Sequence, residues 1–492
     1  MQSKTVAGWL AALIAVYALY FWGMAERGLI GPDEPRYASV AHEMAVSGNW
    51  VTPRLQAQPW FEKPALLYWL GAAAESLGLG GDRATRWPVA LLSALFLLYF
   101  YRSLSDAFGA KPAACASMIL ATSAGWVAFS QAGIFDMPLT VTLGTALLAL
   151  LPWIEDPAQN APRRHLIFGA FLGLSVLAKG LVGPVLAVLA LAPLLADAAF
   201  RSKAAGLIRS PAPAAFLLVS VPWYALCYFA NGPVFLEEFI WKHHFERFVS
   251  DSLRHVQPFW FFAPVVLAGL LPWTPLLALL HRLEMRGDRR LGFLALWAAT
   301  AFVFFSLSTN KLPGYVLPVL PPLAALMGIA VARSARPVVS LTASALLLLL
   351  IPVGATLLPE GLAHGLRRAW PPENISWIWV GVAFAAACTV AATASRKSAP
   401  AALAALAAFS AVSFVLLKAA VFPALDQAAG ARPLWLRIEP QRAEICIGDV
   451  PRHVRYGLQY YSQGHLPDCS SVQRPFQVES DPPRIVPGLA KN

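Results

Sequence analysis

The sequence predicts an all-α polytopic membrane protein: about thirteen transmembrane helices, interfacial helices on the outer face and a small mixed α/β C-terminal domain. Three observations predict it. Of 492 residues, 58% are hydrophobic and only 13% charged, whereas a soluble chain is about half apolar and about a quarter charged. Apolar runs of roughly 17–25 residues, the length of a bilayer-crossing helix, recur along the chain. The last stretch abandons that pattern, and "RAEICIGD" and "HVRYGLQYYSQGHLPDC" mix short β-leaning runs with Gly and Pro turns.

The first run, 6–23, has no A-x-A-like cleavage site and more spans follow it, so it reads as a retained helix rather than a signal peptide. The remaining spans are expected at 87–104, 112–131, 137–154, 165–178, 181–198, 212–230, 258–280, 291–308, 314–332, 338–358, 376–394 and 400–419. The pairs meeting near 178–181 and 308–314 are joined by tight turns with Gly or Pro; each is either two spans or one broken helix. With the N-terminus inside, every inner connection is basic, from Arg102 and Lys111 through Arg163 and Arg164 to Arg396 and Lys397. An odd number of spans then places the tail outside. Residues 1–420 make a transmembrane domain and 421–492 a small outer domain. The net charge of +11 is topology and headgroup charge, because no RNA-binding signature or Cys/His finger spacing accompanies it. The expectation is a monomer that binds no nucleic acid.

The five cysteines divide by surroundings. Cys115, Cys227 and Cys388 lie in apolar runs and read as small core residues. Cys446 and Cys469 lie in the tail and are placed to pair if it faces an oxidising compartment.

Two outer segments, 24–86 and 231–257, carry the conspicuous charges. After Pro35, residues Tyr37, Val40, Ala41, Met44 and Ala45 form a helical apolar stripe that Gly48 ends; after Pro64 a second short helix begins. Asp33 sits two residues before Pro35, and Glu62 and Lys63 stand just before Pro64. Asp136 repeats the arrangement in "GIFDMPLT". N-capping accounts for one acid before a proline. It does not account for Glu34, Arg36, Glu62 and Lys63 on the same membrane face, where ionisable groups are costly and often functional. "WKHHFERF" adds two histidines, Glu246 and Arg247. Lys242, Arg247 and Arg254 lie on the outer side against the topology rule, which points to anion binding. Lys179 and Lys311 stand at outer ends of spans, where they either snorkel to headgroups or line a polar cavity.

These residues match a family. "GPDEPRYASVAHEMAVSGNWVTPRLQAQPWFEKPALLYWL", "FDMPLT", "LAKGLVGP", "HHFERFVSD…QPFWFF…LPW" and "FFSLSTNKLPGYVLPVLPPLA" occur in family order over about residues 1–335. The chain resembles the bacterial 4-amino-4-deoxy-L-arabinose lipid A transferases and their relatives among the GT-C membrane glycosyltransferases, which include protein mannosyltransferases. The resemblance implies an inner-membrane enzyme with a periplasm-facing site. It implies transfer of an aminoarabinose-like sugar from undecaprenyl phosphate, with inversion, to lipid A or another periplasmic cell-surface glycan. It makes Asp33 and Asp136 the active-site carboxylates. Lys63 and Arg247 would grip the carrier phosphate, with Glu34, Arg36, Tyr37, Lys179, Arg254, Lys311 and Tyr315 completing the substrate site. Glu62 and His244 would hold a divalent metal, zinc in the family. Where the family often has an acid before its motif histidine this chain has His243, so the ligand lies between His243 and His244, with alignment on "RF" favouring His244. A protein acceptor on the same fold is the first alternative. A carrier-lipid flippase is the second, disfavoured because the charges gather at one face and not at mid-bilayer.

Overall fold

The computed structural model describes residues 12–156, 161–239, 256–285, 287–334, 337–364, 377–396, 399–479 and 483–487. Long apolar stretches with few internal breakers form helices, since in lipid every backbone polar group must be satisfied within its own segment. Among the described residues seven helices are long and apolar enough to cross a membrane, or up to ten if each of three bent pairs is one span. The chain is therefore a multi-pass membrane protein.

Two expected spans bend for reasons visible in their side chains. The 112–131 run divides into Ala110–Ala121 and Ala124–Ser130, bent by 62°. There the hydroxyls of Thr122 and Ser123 donate back to the carbonyls of Met118 and Ile119 at 2.6 and 2.7 Å, which favours a bend. The 258–280 run bends by 101° between Phe259–Gly269 and Thr274–Arg282, where Pro272 has no amide hydrogen to continue a helix. The two bends are stitched together: buried Trp273 donates from Nε1 to Thr122 Oγ1 at 3.1 Å, and the Ala124 amide donates to the Leu271 carbonyl at 2.9 Å. At 178–181 two separate helices meet, because Gly180 adopts φ 71°.

Segment 24–86 contains the two expected helices. Helix α1, Asp33–Ser47, buries Tyr37, Val40, Ala41 and Met44 and ends at Gly48 in the left-handed conformation. Strands β1 (Arg54–Leu55) and β2 (Gln58–Pro59) make a small hairpin, and α2 follows over Leu66–Ser76. Helix α3, Asp82–Phe108, is the first of the long apolar helices among the described residues. Helix α4, Asp136–Ala149, is buried along almost its whole length, and α5, Pro162–Lys179, packs on it.

The expected domain limit at 420/421 falls inside the helix Ala399–Ala429. That helix continues because Lys418, the charge that interrupts its apolar run, is buried and donates to the carbonyls of Ala18, Leu19 and Trp22. Beyond it, β3 (Ile445–Ile447) pairs parallel with β4 (Phe476–Glu479), which pairs antiparallel with β5 (Arg484–Pro487). Helix α6, Arg452–Tyr461, lies between β3 and β4 in sequence. Trp435, Ile438, Ile445, Ile447, Leu458 and Val478 form this unit's own core. Cys446 and Cys469 form a disulfide. The unit is tied to the membrane part: Tyr461 donates to Asp82 at 2.9 Å and accepts from the Leu29 amide at 2.8 Å. Arg432 reaches Asp82 and Asp426 at 3.1 and 2.6 Å.

Candidate functional site

The acids expected before two prolines are not helix caps. Pro32 is the N-cap of α1 and Phe135 that of α4; Asp33 and Asp136 are the first helical residues, and neither helix has a side-chain cap bond. Each carboxylate instead meets a cation. Asp33 accepts from Arg36 Nη2 at 2.6 Å, one turn on, and Asp136 accepts from the ammonium of Lys179, the last residue of α5.

Arg36 organises the first cluster. Its side chain is only 6% exposed and bridges Asp33 to Glu62, the latter at 3.1 Å; Lys63 lies 3.7 Å from Glu62. The rings of Tyr37, Trp60 and Tyr456 surround its guanidinium at 5.2, 5.7 and 5.5 Å. Tyr456 belongs to α6, so the C-terminal unit supplies one wall. Three buried donors in and around this cluster, Arg36 Nε, Trp60 Nε1 and Tyr68 Oη, have no hydrogen-bond partner among the described residues. Burial beside Glu62 and Asp33 pushes the Tyr37 and Tyr68 hydroxyls well above the usual phenol value, so both stay protonated.

Asp136 and Lys179 anchor the second cluster. Lys179 Nζ lies 4.2 Å from the centroid of the Tyr315 ring. A Cβ at Gly314 would come within 2.7 Å of the Asp136 carboxyl, so "KLPGY" has glycine where its backbone passes under that acid. Aromatic contacts join the two clusters: Phe135, directly before Asp136, packs edge-on against Tyr37 at 4.8 Å and Tyr68 at 5.3 Å.

Glu34 lies behind this surface. It is 4% exposed and accepts from Arg86, from the Ile30 amide at 3.0 Å and from the Gly133 amide at 2.8 Å. Burial alone would raise its carboxyl, but the charges of Arg86 and Arg27 and these hydrogen bonds outweigh it and hold it at about 2. Its oxygens are engaged within the protein. Lys311 does not snorkel: it is buried and donates to the carbonyls of Ser308 and, at 3.0 Å, Gln257. His244, Arg247 and Arg254 lie outside the described residues.

Of the expected metal ligands only Glu62 is described; His243 and His244 lie outside the described residues. Among the described residues no group of three His, Cys, Asp or Glu side chains gathers for a cation. The Glu62 oxygens lie beside Arg36 at 3.1 Å and Lys63 at 3.7 Å. Sequence reasoning missed Arg86, Trp60, Tyr68 and Tyr456. A signal existed for Arg86 alone: Asp82 and Arg86 stand four apart at the mouth of an apolar span.

Residues 62–225 match the dolichyl-phosphate-mannose-protein mannosyltransferase family model. The chain is 30% identical over 508 residues to an undecaprenyl phosphate-alpha-4-amino-4-deoxy-L-arabinose arabinosyl transferase of Pseudomonas paraeruginosa, covering 96% of this chain and 91% of that one. Its match to the Edwardsiella ictaluri protein of the same name is 32% identical over 333 residues and spans 59% of that relative's length. The crystal structure of ArnT from Cupriavidus metallidurans bound to undecaprenyl phosphate superposes with a TM-score of 0.73 at 25% identity, covering 94% of this chain and 90% of that one. The apo state of the same protein gives 0.72.

Proposed function

The chain belongs to the undecaprenyl phosphate-alpha-4-amino-4-deoxy-L-arabinose arabinosyl transferase family, and from that premise we propose that it transfers an aminoarabinose-like sugar from undecaprenyl phosphate to lipid A. The enzyme works in the bacterial inner membrane with thirteen spans, and its site faces the periplasm. The supporting observation is the set of three unpartnered buried donors, Arg36 Nε, Trp60 Nε1 and Tyr68 Oη, beside Asp33 and Glu62. A buried donor without an acceptor costs about 1–3 kcal/mol. An oxygen-rich substrate would recover that cost.

The donor leaves as an anionic lipid phosphate, and its departure needs fixed positive charge. Lys63 and Arg247 supply it as electrostatic stabilisers of the transition state. Asp33, 40% exposed at its side chain, is the carboxylate open to substrate and acts as general base toward a hydroxyl acceptor. A lipid A phosphate is already anionic; toward it Asp33 and Asp136 orient the reacting groups. Displacement is single and inverts the anomeric carbon. Arg36, Tyr37, Lys179, Tyr315 and Lys311 shape the substrate site, with Arg254 on the second outer segment. Glu34 acts one layer behind, fixing Gly133 and hence the start of α4.

Mass spectrometry of lipid A from cells with and without the gene tests the assignment. Loss of an aminopentose from lipid A on deletion is the expected result. Unchanged lipid A with a change in another surface glycan or in glycoproteins would move the acceptor.

A further inference from the structure

A cleft of about 570 Å³ opens between α1, the β1–β2 turn and the C-terminal unit, lined among others by His42, Glu43, Gln56, Gln459, Tyr460 and Gln463. Its size falls in the range of about 300–1,000 Å³ typical of small-molecule sites. The three non-glycine residues with positive φ among those described, Gln56 at 54°, Ala57 at 62° and Gln463 at 51°, all line it. Gln56 and Ala57 are the two turn residues of the β1–β2 hairpin, where positive φ at both positions is the usual geometry, and Gln463 lies just past the end of α6.

The charged groups that line the cleft are already engaged. Glu43 accepts from the Gln56 and Ala57 amides at 2.6 and 2.9 Å, which fixes the turn. Asp468 is paired with Arg455, and His42 lies 2.5 Å from Glu75. An anion meets carboxylates here and a cation finds none unengaged. Neutral amides and hydroxyls remain to bind a ligand, with the ring of Tyr460. The side-chain carbonyl of Gln459 is buried with no hydrogen-bond partner, so it is an acceptor awaiting a donor. His42 and Glu43 follow Asp33 by nine and ten residues on α1, about 13–15 Å at 1.5 Å per residue. That is a separation of several sugar units.

We propose that this cleft binds an uncharged, hydroxyl-rich sugar of the acceptor glycan, beyond the unit that is modified. The proposal rests on the transferase reading for the word acceptor. The donor's single sugar is tied to the phosphate that Lys63 would hold, whereas a glycan acceptor carries further sugar units to this distance.

The test uses purified full-length protein in detergent, with N,N′-diacetylchitobiose as probe and saturation-transfer NMR as readout. Two variants are compared. Gln459→Leu removes the unpartnered carbonyl. Gln463→Gly removes an amide while relieving the positive φ, and so keeps the fold. Both are expected to weaken probe binding at least tenfold and to raise acceptor KM about tenfold, with donor KM and kcat unchanged. Absent binding, binding indifferent to both variants, or a rise in donor KM in place of acceptor KM would overturn the proposal. Probe binding that both variants abolish, in a protein that transfers no sugar to lipid A, to another glycan or to protein, would overturn the transferase reading and leave a glycan site.

Discussion

Arg86 holds both oxygens of Glu34, Nε to Oε1 at 2.9 Å and Nη2 to Oε2 at 2.6 Å, with the Arg86 side chain fully buried. The remaining guanidinium donors reach the carbonyls of Met24, Arg27 and Gly28 at 2.7–2.8 Å. Through the Gly133 amide, Glu34 then touches the loop that delivers Asp136. One bidentate pair therefore fixes the chain before α1 and the chain before α4, the two helix starts that carry the carboxylates.

This pair gives the protein an acid limb. Glu34 is held at about 2 against an ordinary 4.5. A depressed carboxyl adds stability that is complete above the unfolded pKa and is lost as pH falls through the folded one. Wild-type protein in detergent should thus lose of order 3 kcal/mol between about pH 4.5 and 2 through this group. Glu34→Gln should be less stable at neutral pH and show a flatter acid limb in thermal unfolding. Arg86→Lys, which cannot make the fork, should cost about 3–5 kcal/mol.

Asp33→Asn should fold and insert normally yet lose transfer by about a hundredfold or more, the range of a general base. Asp33 makes no cap bond, and Asn can still accept from Arg36, so the substitution spares the local structure. Transfer rate per mole of folded protein is the measurement. Near-normal turnover would remove Asp33 from the chemistry.

Lys179 and Asp136 should behave as a unit. Their side chains are 12% and 13% exposed, and truncating one leaves the other partly buried and unpaired. Lys179→Met and Asp136→Asn are each expected to impair transfer, and the double variant to fall short of additivity by about 1–3 kcal/mol. A double-mutant cycle on transfer rates checks this; additive losses would mean that the pair acts separately.

How much of this was legible depends on the reach of each signal. Helix α1 could be read because its stripe is local and Gly48 closes it. Asp33, Asp136 and Lys179 stood out because charge is scarce in an apolar chain. Arg86 could not be assigned a partner, since Glu34 is 52 residues away and no periodicity reports such a pairing. The bend at Thr122–Ser123 was hidden because hydroxyls returning to i−4 carbonyls leave the hydropathy unchanged. The expected span ends at 419, just past Lys418, whereas the helix runs on to Ala429 with the Lys418 charge satisfied by the carbonyls of Ala18, Leu19 and Trp22. The Tyr456 ring over Arg36 depends on how the C-terminal unit docks, which composition does not encode.

The Cys446–Cys469 bridge closes a loop across 23 residues, for which chain entropy gives about 3 kcal/mol. Alkylation of denatured, non-reduced protein should label Cys115, Cys227 and Cys388 and spare these two. Reduction should lower the unfolding temperature of the C-terminal unit, and with it the hold of Tyr461 and Arg432 on Asp82.

The last prediction concerns the leaving group. Lys63 adjoins Glu62, which already shares Arg36 with Asp33, so two cations meet two carboxylates there and a departing phosphate needs Arg247 beside Lys63. Arg247 belongs to the second outer segment, outside the described residues. Lys63→Ala and Arg247→Ala should each raise donor KM and lower kcat, with yield near wild type. If both hold one phosphate, the first loss already disorders the anion and the second removes less, so the double variant should be less than additive. If each merely snorkels to headgroups, both effects are small and independent. Transfer rates against donor concentration for the three variants decide between them. Small, strictly additive changes would leave the departing phosphate without its stabilising charge and would require another cation for that task.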